Sequence, residues 1–321
     1  MRSVIVIGGT GFLGYHAVNE LLSKGWDVTA VGLPDPRFTN HVPAAARVVL
    51  INFDETSDAD LLAILSGYVA LVFAAGADDR SMPRKPAYPF FHHANVEGCV
   101  RVLRLAKLAG IHRAVVLGSY FSHFNRIWPD LRLAERHPYI RSRVEQEMAV
   151  ISIPGMDVDV IELPYIFGGI PVPGWKSLWL PLVKYIRYTP VVLYMKGGTA
   201  CATAKTVGQA IAGALERGQA STCFPIGDEN LTWSELLIRL AAADGRNVKV
   251  VNLPTWLIKI GLYALWLFHQ LLGKEAGLDP RYLAALQTAE TFLEANSSQE
   301  VLGYQVGGLD QAFRETVATI Q

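Results

Sequence analysis

Cysteine is scarce in this chain. There are three in 321 residues, Cys99, Cys201 and Cys223, without the short spacings that bind metals, and they read as reduced thiols of a cytoplasmic protein. Net charge is absent: 29 Lys and Arg balance 29 Asp and Glu, so no global field selects nucleic acid or an anionic membrane. No export signal is expected either. Val4-Ile5-Val6-Ile7 supplies only four apolar residues before a glycine, where a secretory core needs roughly seven to fifteen. His92-His93 and Asp78-Asp79 are adjacent pairs. Neighbours on a helix diverge by about 100° and rarely chelate one ion, so both pairs read as solvated loop or helix-start positions and no metal is expected.

Long apolar runs are also missing, with one exception. Trp256 to Leu272 reads WLIKIGLYALWLFHQLL, interrupted by Lys259, His269 and Gln270 and framed by Pro254 and Gly273. Those frames are ordinary helix start and stop signals. The expectation is a buried or substrate-facing helix rather than a membrane span; peripheral contact with a membrane is the alternative.

Elsewhere, 51% hydrophobic and 18% charged residues suit a globular enzyme. The first half alternates short apolar runs with amphipathic stretches. Strands are predicted at Val4–Ile7, Asp27–Val31, Val48–Asn52, Val69–Ala74, Ala114–Leu117 and Val158–Leu163, and helices at Phe12–Lys24, Asp58–Leu65, Asn95–Leu108 and Tyr139–Val150. Strands this apolar, separated by helices, imply a parallel sheet covered on both faces, the doubly wound α/β fold. From Gly168 the texture changes to Pro, Gly, Trp and Tyr. A helix follows at Lys205–Arg217, and Thr232-Trp233-Ser234-Glu235 has the form of a capping box. The reading is a Rossmann unit over 1–167 with a return segment near 199–222, interwoven with a smaller substrate lobe over 168–198 and 223–321.

Gly8-Gly9-Thr10-Gly11-Phe12-Leu13-Gly14 follows the first strand and opens the first helix. A turn that swings off a strand and lets backbone approach a pyrophosphate requires residues without Cβ. The phosphates then meet the free NH groups of the helix N-terminus. This strand–turn–helix context implies a bound dinucleotide.

With that turn in place, the chain resembles the extended short-chain dehydrogenase/reductase family, which includes NAD-dependent epimerases and dehydratases, hydroxysteroid dehydrogenases and dihydroflavonol reductases. GGTGFLG resembles the family's TGxxGxxG, and Asp54 its adenine-contacting acid. Phe73-Ala74-Ala75-Gly76 resembles the segment beside the adenosine ribose, and Asn95-Val96-Glu97-Gly98 the NVxG that opens the central helix. Ser119 falls on the catalytic serine, and Pro138-Tyr139-Ile140-Arg141-Ser142-Arg143 on the PYxxSK segment. Leu163-Pro164-Tyr165-Ile166-Phe167-Gly168 resembles the run beside the nicotinamide, placing Pro164 and Ile166 there. The resemblance further implies a homodimer joined through Asn95–Leu108 and Tyr139–Val150, with Tyr139 as proton donor and acceptor and Ser119 orienting the substrate oxygen.

Tyr139 and Arg143 are one helical turn apart and face the same way. A free phenol has a pKa near 10, so a neighbouring cation must favour the phenolate. The family has lysine where this chain has Arg143, and arginine's bulkier fork is not a lysine equivalent. Three readings stay open: Arg143 supports a working site, a slowed or altered one, or a site no longer used for catalysis.

NAD sites usually carry an acid at the end of the second strand. Eighteen residues after Gly14 that place holds Gly32, with Arg37 a few residues on and His16 on the first helix as candidates to pair a 2′-phosphate. The reading leans to NADP over NAD, with Asp35 as a competing ribose ligand. The stretch Thr199-Ala200-Cys201-Ala202-Thr203 lacks the arginine with which nucleotide-sugar members clamp a diphosphate. Trp175, Leu178, Trp179, Leu180, Tyr185 and Tyr188 crowd the expected substrate loop; they line a hydrophobic pocket or fill the lobe's core, while Lys176, Lys184 and Arg187 are the cations left for a phosphate. The leading expectation is an NAD(P)-dependent oxidoreductase acting on a hydroxyl or keto group of a hydrophobic small molecule. The alternatives are a nucleotide-sugar epimerase or dehydratase, and a non-catalytic dinucleotide sensor or scaffold.

Overall fold

The computed structural model describes residues 2–35, 41–219 and 221–319. Its first half runs β1 (Ser3–Ile7), α1 (Phe12–Ser23), β2 (Asp27–Gly32), β3 (Arg47–Leu50), α2 (Asp58–Leu65), β4 (Ala70–Phe73), α3 (Tyr88–His92), α4 (Gly98–Leu108), β5 (Arg113–Ser119), α5 (Tyr120–Ile127), α6 (Leu133–Arg136), α7 (Pro138–Ile151) and β6 (Asp157–Leu163). The second half runs β7 (Tyr165–Phe167), α8 (Leu180–Tyr188), β8 (Val191–Tyr194), β9 (Gly198–Thr203), α9 (Ala204–Arg217), β10 (Cys223–Pro225), β11 (Glu229–Thr232), α10 (Trp233–Ala243), β12 (Lys249–Asn252), α11 (Thr255–Leu271), α12 (Pro280–Thr288), β13 (Glu290–Thr291), α13 (Asn296–Leu302) and α14 (Leu309–Ala318).

The main sheet is parallel throughout, in the order β10-β6-β5-β4-β1-β2-β3. Period-two alternation sends successive side chains of each strand to opposite faces. Val4, Val6, Val28, Val72 and Val115 pack under α1 and α9. Ile5, Ile7, Leu71, Phe73 and Val116 pack under α2, α4 and α7. Each fully buried side chain of this size contributes about 1.5–3 kcal/mol by area. The strand order reverses between β1 and β4, and in sheets of this type ligands bind in the crevice outside the carboxyl ends at that point.

Local signals set the helix starts. Ser57 caps α2 through its hydroxyl, Thr203 caps α9, and the Thr232–Glu235 capping box opens α10 as the sequence predicts. Pro138 occupies the first turn of α7, where a missing N–H costs nothing.

The second half keeps its helices and adds short strands that the sequence reading did not place. β9 pairs with β7, β11 and β13 in a small mixed sheet, and β8 pairs with β12. Around them Phe167, Trp179, Trp233 and Phe313 form an aromatic core under α8, α10 and α14. The apolar helix forms as α11, but the expectation that it is buried or faces the pocket does not hold. Only His269 along it is buried, and it packs against α12. Among the described residues no helix is long and apolar enough to cross a membrane.

Candidate active site

The glycine turn is built by close backbone packing. Gly8 adopts a left-handed φ of +81°, a region that only glycine enters freely. A Cβ at Gly14 would lie 2.0 Å from the Gly8 carbonyl oxygen, and one at Gly9 would lie 2.8 Å from Ala30 Cα. The amides of Gly8 and Gly9 both donate to Val31 O at 2.9 Å, locking the turn to β2. Gly11 sits at the N-cap of α1 and supplies no side-chain cap, so the first N–H groups of the helix remain open to an anion. The residues present therefore fit the pyrophosphate of a dinucleotide.

A groove runs across the carboxyl ends of the strands. Its adenosine-side half is lined by Gly8, Thr10, Gly11, Gly32, Asp54 and the segment 74–78. The other half, about 360 Å3, shares segment 74–78 and adds Phe12, Leu13, Ser119, Tyr139, Arg143, Pro164 and Ile166. The strand-end segment Ala74–Asp78 joins the two.

Tyr139 and Arg143 meet as their spacing requires. Arg143 Nε donates to Tyr139 Oη at 3.2 Å. Its other donors reach Leu117 O at 3.3 Å, Gln146 Oε1 at 2.9 Å and Ala77 O at 3.1 Å. Four of the five guanidinium N–H groups are thereby engaged, leaving one on Nη2. Burial pushes the Tyr139 phenol above its usual value; Arg143 pulls it down, Asp79 and Asp78 push it up, and hydrogen bonding from Ser119 lowers it. Ser119 ends β5 and its hydroxyl also accepts from Phe121 N at 3.3 Å, capping α5. The serine thus serves the helix start and faces the phenol.

Residues 4–161 match the model of the NAD dependent epimerase/dehydratase family. That half of the chain belongs to the family. A putative dihydroflavonol 4-reductase of Synechocystis is 22% identical over 98% of this chain and 94% of its own length. The crystal structure of gox2253 superposes with a TM-score of 0.80 at 20% identity, covering 99% of this chain and 98% of that one. A nucleoside-diphosphate-sugar epimerase from Pseudomonas aeruginosa superposes at 0.74 with 15% identity, covering 99% and 96%. At those identities the superpositions speak for the fold. Membership makes the chain an enzyme of the extended short-chain dehydrogenase/reductase type that uses a nicotinamide dinucleotide.

Several other positions fall differently from the family-guided reading. Asp78 and Asp79 do lie in a loop, as expected, but it is a half-buried one, and with Arg80 they line the groove that also holds Tyr139. The Asp79 carboxyl is pushed up to about 7, first by burial, then by Asp78, against the pull of Arg80. Arg80 lies 4.4 Å over the Trp179 ring. Their position directly after Phe73-Ala74-Ala75-Gly76, at the carboxyl end of β4, is the signal that would have found them. Asn95 does not line the groove. It is buried behind the wall, where its side chain accepts from Ala77 N at 2.8 Å and donates to Ser142 Oγ at 3.0 Å.

His16 is drawn away from the adenosine side by a 3.0 Å bond to Gly169 O, and burial lowers its pKa. It is no partner for a 2′-phosphate. Arg37 lies outside the described residues. Gly32 borders the groove, and a Cβ there would lie 2.0 Å from Thr10 Oγ1, so Thr10 fills the space an acidic side chain would need. Among the apolar residues of the substrate loop, Trp175, Leu178 and Trp179 line the groove. Trp179 also stacks on Phe167 at 4.6 Å, so it serves pocket and core together. Tyr185 instead bonds the Leu193 backbone, and Tyr188 is exposed on α8. Arg187 pairs with Asp244, while Lys176 stays at the groove. His92 and His93 both turn to Glu97.

Proposed function

We propose that the chain is a reductase that transfers hydride from NADPH to the keto group of a predominantly hydrophobic small molecule, with the reverse oxidation at alkaline pH. The observation that carries this reading is the Tyr139–Arg143 pair set beside Ser119 in the groove. Burial prevails over Arg143, so the phenol stays protonated at neutral pH and is set to donate a proton. Ser119 would share the substrate oxygen with Tyr139. When bound, the coenzyme supplies the hydride. Gly8, Gly9, Thr10, Gly11 and Gly14 would hold its diphosphate; Gly32 and Asp54 would border its adenosine, Ala74, Ala75 and Gly76 its middle, and Pro164 and Ile166 its ring.

NADP(H) is preferred in this reading because Gly32 brings no carboxylate against a 2′-phosphate. The hydrophobic substrate follows from Phe121, Trp175, Leu178 and Trp179 in the groove wall, with Asp79 and Arg80 as its polar anchors. A nucleotide-sugar diphosphate is less favoured because Arg187 is already paired and Thr199–Thr203 is a buried strand. The proposed coenzyme unit is residues 1–167 with the return segment near 199–222, extended to β10 because that strand lies in the main sheet. In this reading the enzyme works in the cytoplasm as a homodimer joined through α4 and α7, whose Leu108 and Met148 are exposed.

The test is turnover of a ketone panel, followed by loss of NADPH absorbance, beside calorimetry with UDP- and dTDP-sugars. Ketone turnover that needs Tyr139 supports the reading. Micromolar sugar-nucleotide affinity without ketone turnover replaces it with an epimerase.

A further inference from the structure

α11 is an apolar helix that the protein leaves uncovered. On a helix of 3.6 residues per turn, Ile258, Leu262, Trp266 and His269 fall on one stripe. That stripe is the covered one: Arg281 of α12 stacks 4.7 Å over Trp266, and His269 is buried. The remaining arc spans about 200°. Trp256, Leu257, Ile260, Leu267, Phe268 and Leu271 lie on it and all are exposed, Leu271 to 85%. Tyr263 and Leu265 mark its edges, and no charged side chain falls between them; Lys259 sits beside the covered stripe.

An all-round apolar helix in a soluble protein is ordinarily buried, and exposed patches of this kind mark interaction sites. We infer that α11 lies in the interface of a lipid bilayer, its open arc among the acyl chains and its axis along the surface.

Two observations choose a membrane over a protein partner. The first is the width of the arc. A single facing helix covers a narrow seam and would leave the flanks of this arc in water, whereas a fluid apolar phase covers all of it. The second is charge. Between Asp244 and Glu275 the chain has no acidic residue and four cations, Arg246, Lys249, Lys259 and Lys274. Cations flanking an apolar face complement anionic headgroups.

The helix is also held rigidly. Lys85 Nζ donates to Gln270 Oε1 at 2.6 Å, Lys85 N to Gly273 O at 3.0 Å, and Glu275 N to Pro83 O at 3.2 Å. These bonds tie the end of α11 to the segment that follows the groove residues Asp79 and Arg80.

The test is flotation of the full chain with vesicles of phosphatidylcholine and phosphatidylglycerol in a ratio of about three to one, against phosphatidylcholine alone. Wild type should float with the mixed vesicles. Trp256 emission, isolated by difference from Trp256→Phe, should be quenched by brominated acyl chains. Leu267→Glu/Leu271→Glu, at positions already open to water, should lower vesicle partition by at least about tenfold. Melting temperature and coenzyme binding of that variant check the fold; they also test coenzyme use separately, since the docking does not rest on the proposed reaction. Three results overturn the inference. They are failure to float with either vesicle, equal flotation of the double variant, and a wild-type dimer in light scattering that the double variant turns into monomer.

Discussion

Replacing Arg143 by Met removes the positive charge beside the proposed proton donor while keeping a side chain of similar length. The Nε donor lies 3.2 Å from Tyr139 Oη. At an effective dielectric near 20, unit charges about 4 Å apart interact by about 4 kcal/mol, close to three pKa units. Tyr139, already above its ordinary value through burial, would move further up by that amount. With about half of the lost acidity felt in the transition state, keto reduction at pH 7 falls about 30-fold. Alcohol oxidation at the same pH falls by the same factor, because an enzyme cannot alter the overall equilibrium. The alkaline fall in the reduction rate shifts to still higher pH. The assay is kcat and kcat/KM in both directions across neutral and alkaline pH, at saturating coenzyme. Arg143→Lys is the companion, since it keeps the charge and loses the fork to Leu117 O, Gln146 and Ala77 O. Activity of Arg143→Met within threefold of wild type, or an equal loss in Arg143→Lys, would refute the charge argument.

Three further outcomes follow from the groove. Gly14→Ala puts a methyl group 2.0 Å from the Gly8 carbonyl; it should cost about 1–3 kcal/mol of stability and abolish coenzyme-induced stabilisation in thermal melts. Gly32→Asp should weaken both coenzymes while Thr10 is intact, and adding Thr10→Gly should restore NAD(H) alone, read by fluorescence titration. Asp79→Asn tests the raised carboxyl. Its folded pKa of about 7 lies above the ordinary carboxyl value of 3.8 expected in the unfolded chain, so the folded state binds the proton more tightly. The stabilisation this gives is complete below about pH 4 and lost as pH rises through 7. The variant's melting temperature should therefore gain on wild type between pH 4 and pH 8, and a difference that ignores pH contradicts the assignment.

Much of the main sheet was legible because its cues are local. Valine and isoleucine runs, a glycine turn right after β1 and the Thr232–Glu235 box each act within a few residues. The Tyr139–Arg143 contact was legible for the same reason, being one turn of helix. What escaped depends on distant partners. His16 is turned by Gly169, 153 residues away, and Asn95 is drawn behind the wall by Ala77 and Ser142. The short strands of the second half pair across long separations, as β9 does with β13. An apolar helix carries the same periodicity whether protein or another medium covers it, so the exposure of α11 could not be read from its pattern.

Ala77 has a place in this fold larger than its methyl group suggests. Its amide is held by Asn95, just ahead of α4, and its carbonyl by Arg143 on α7. It is also part of the strip of chain that borders both halves of the groove. The backbone of one residue, through the peptide groups on either side of its Cα, thus acts as a rivet between nucleotide grip and proton transfer. A defect on either side should travel through it, so that a variant loosening Asn95 loses coenzyme affinity and turnover together rather than one without the other.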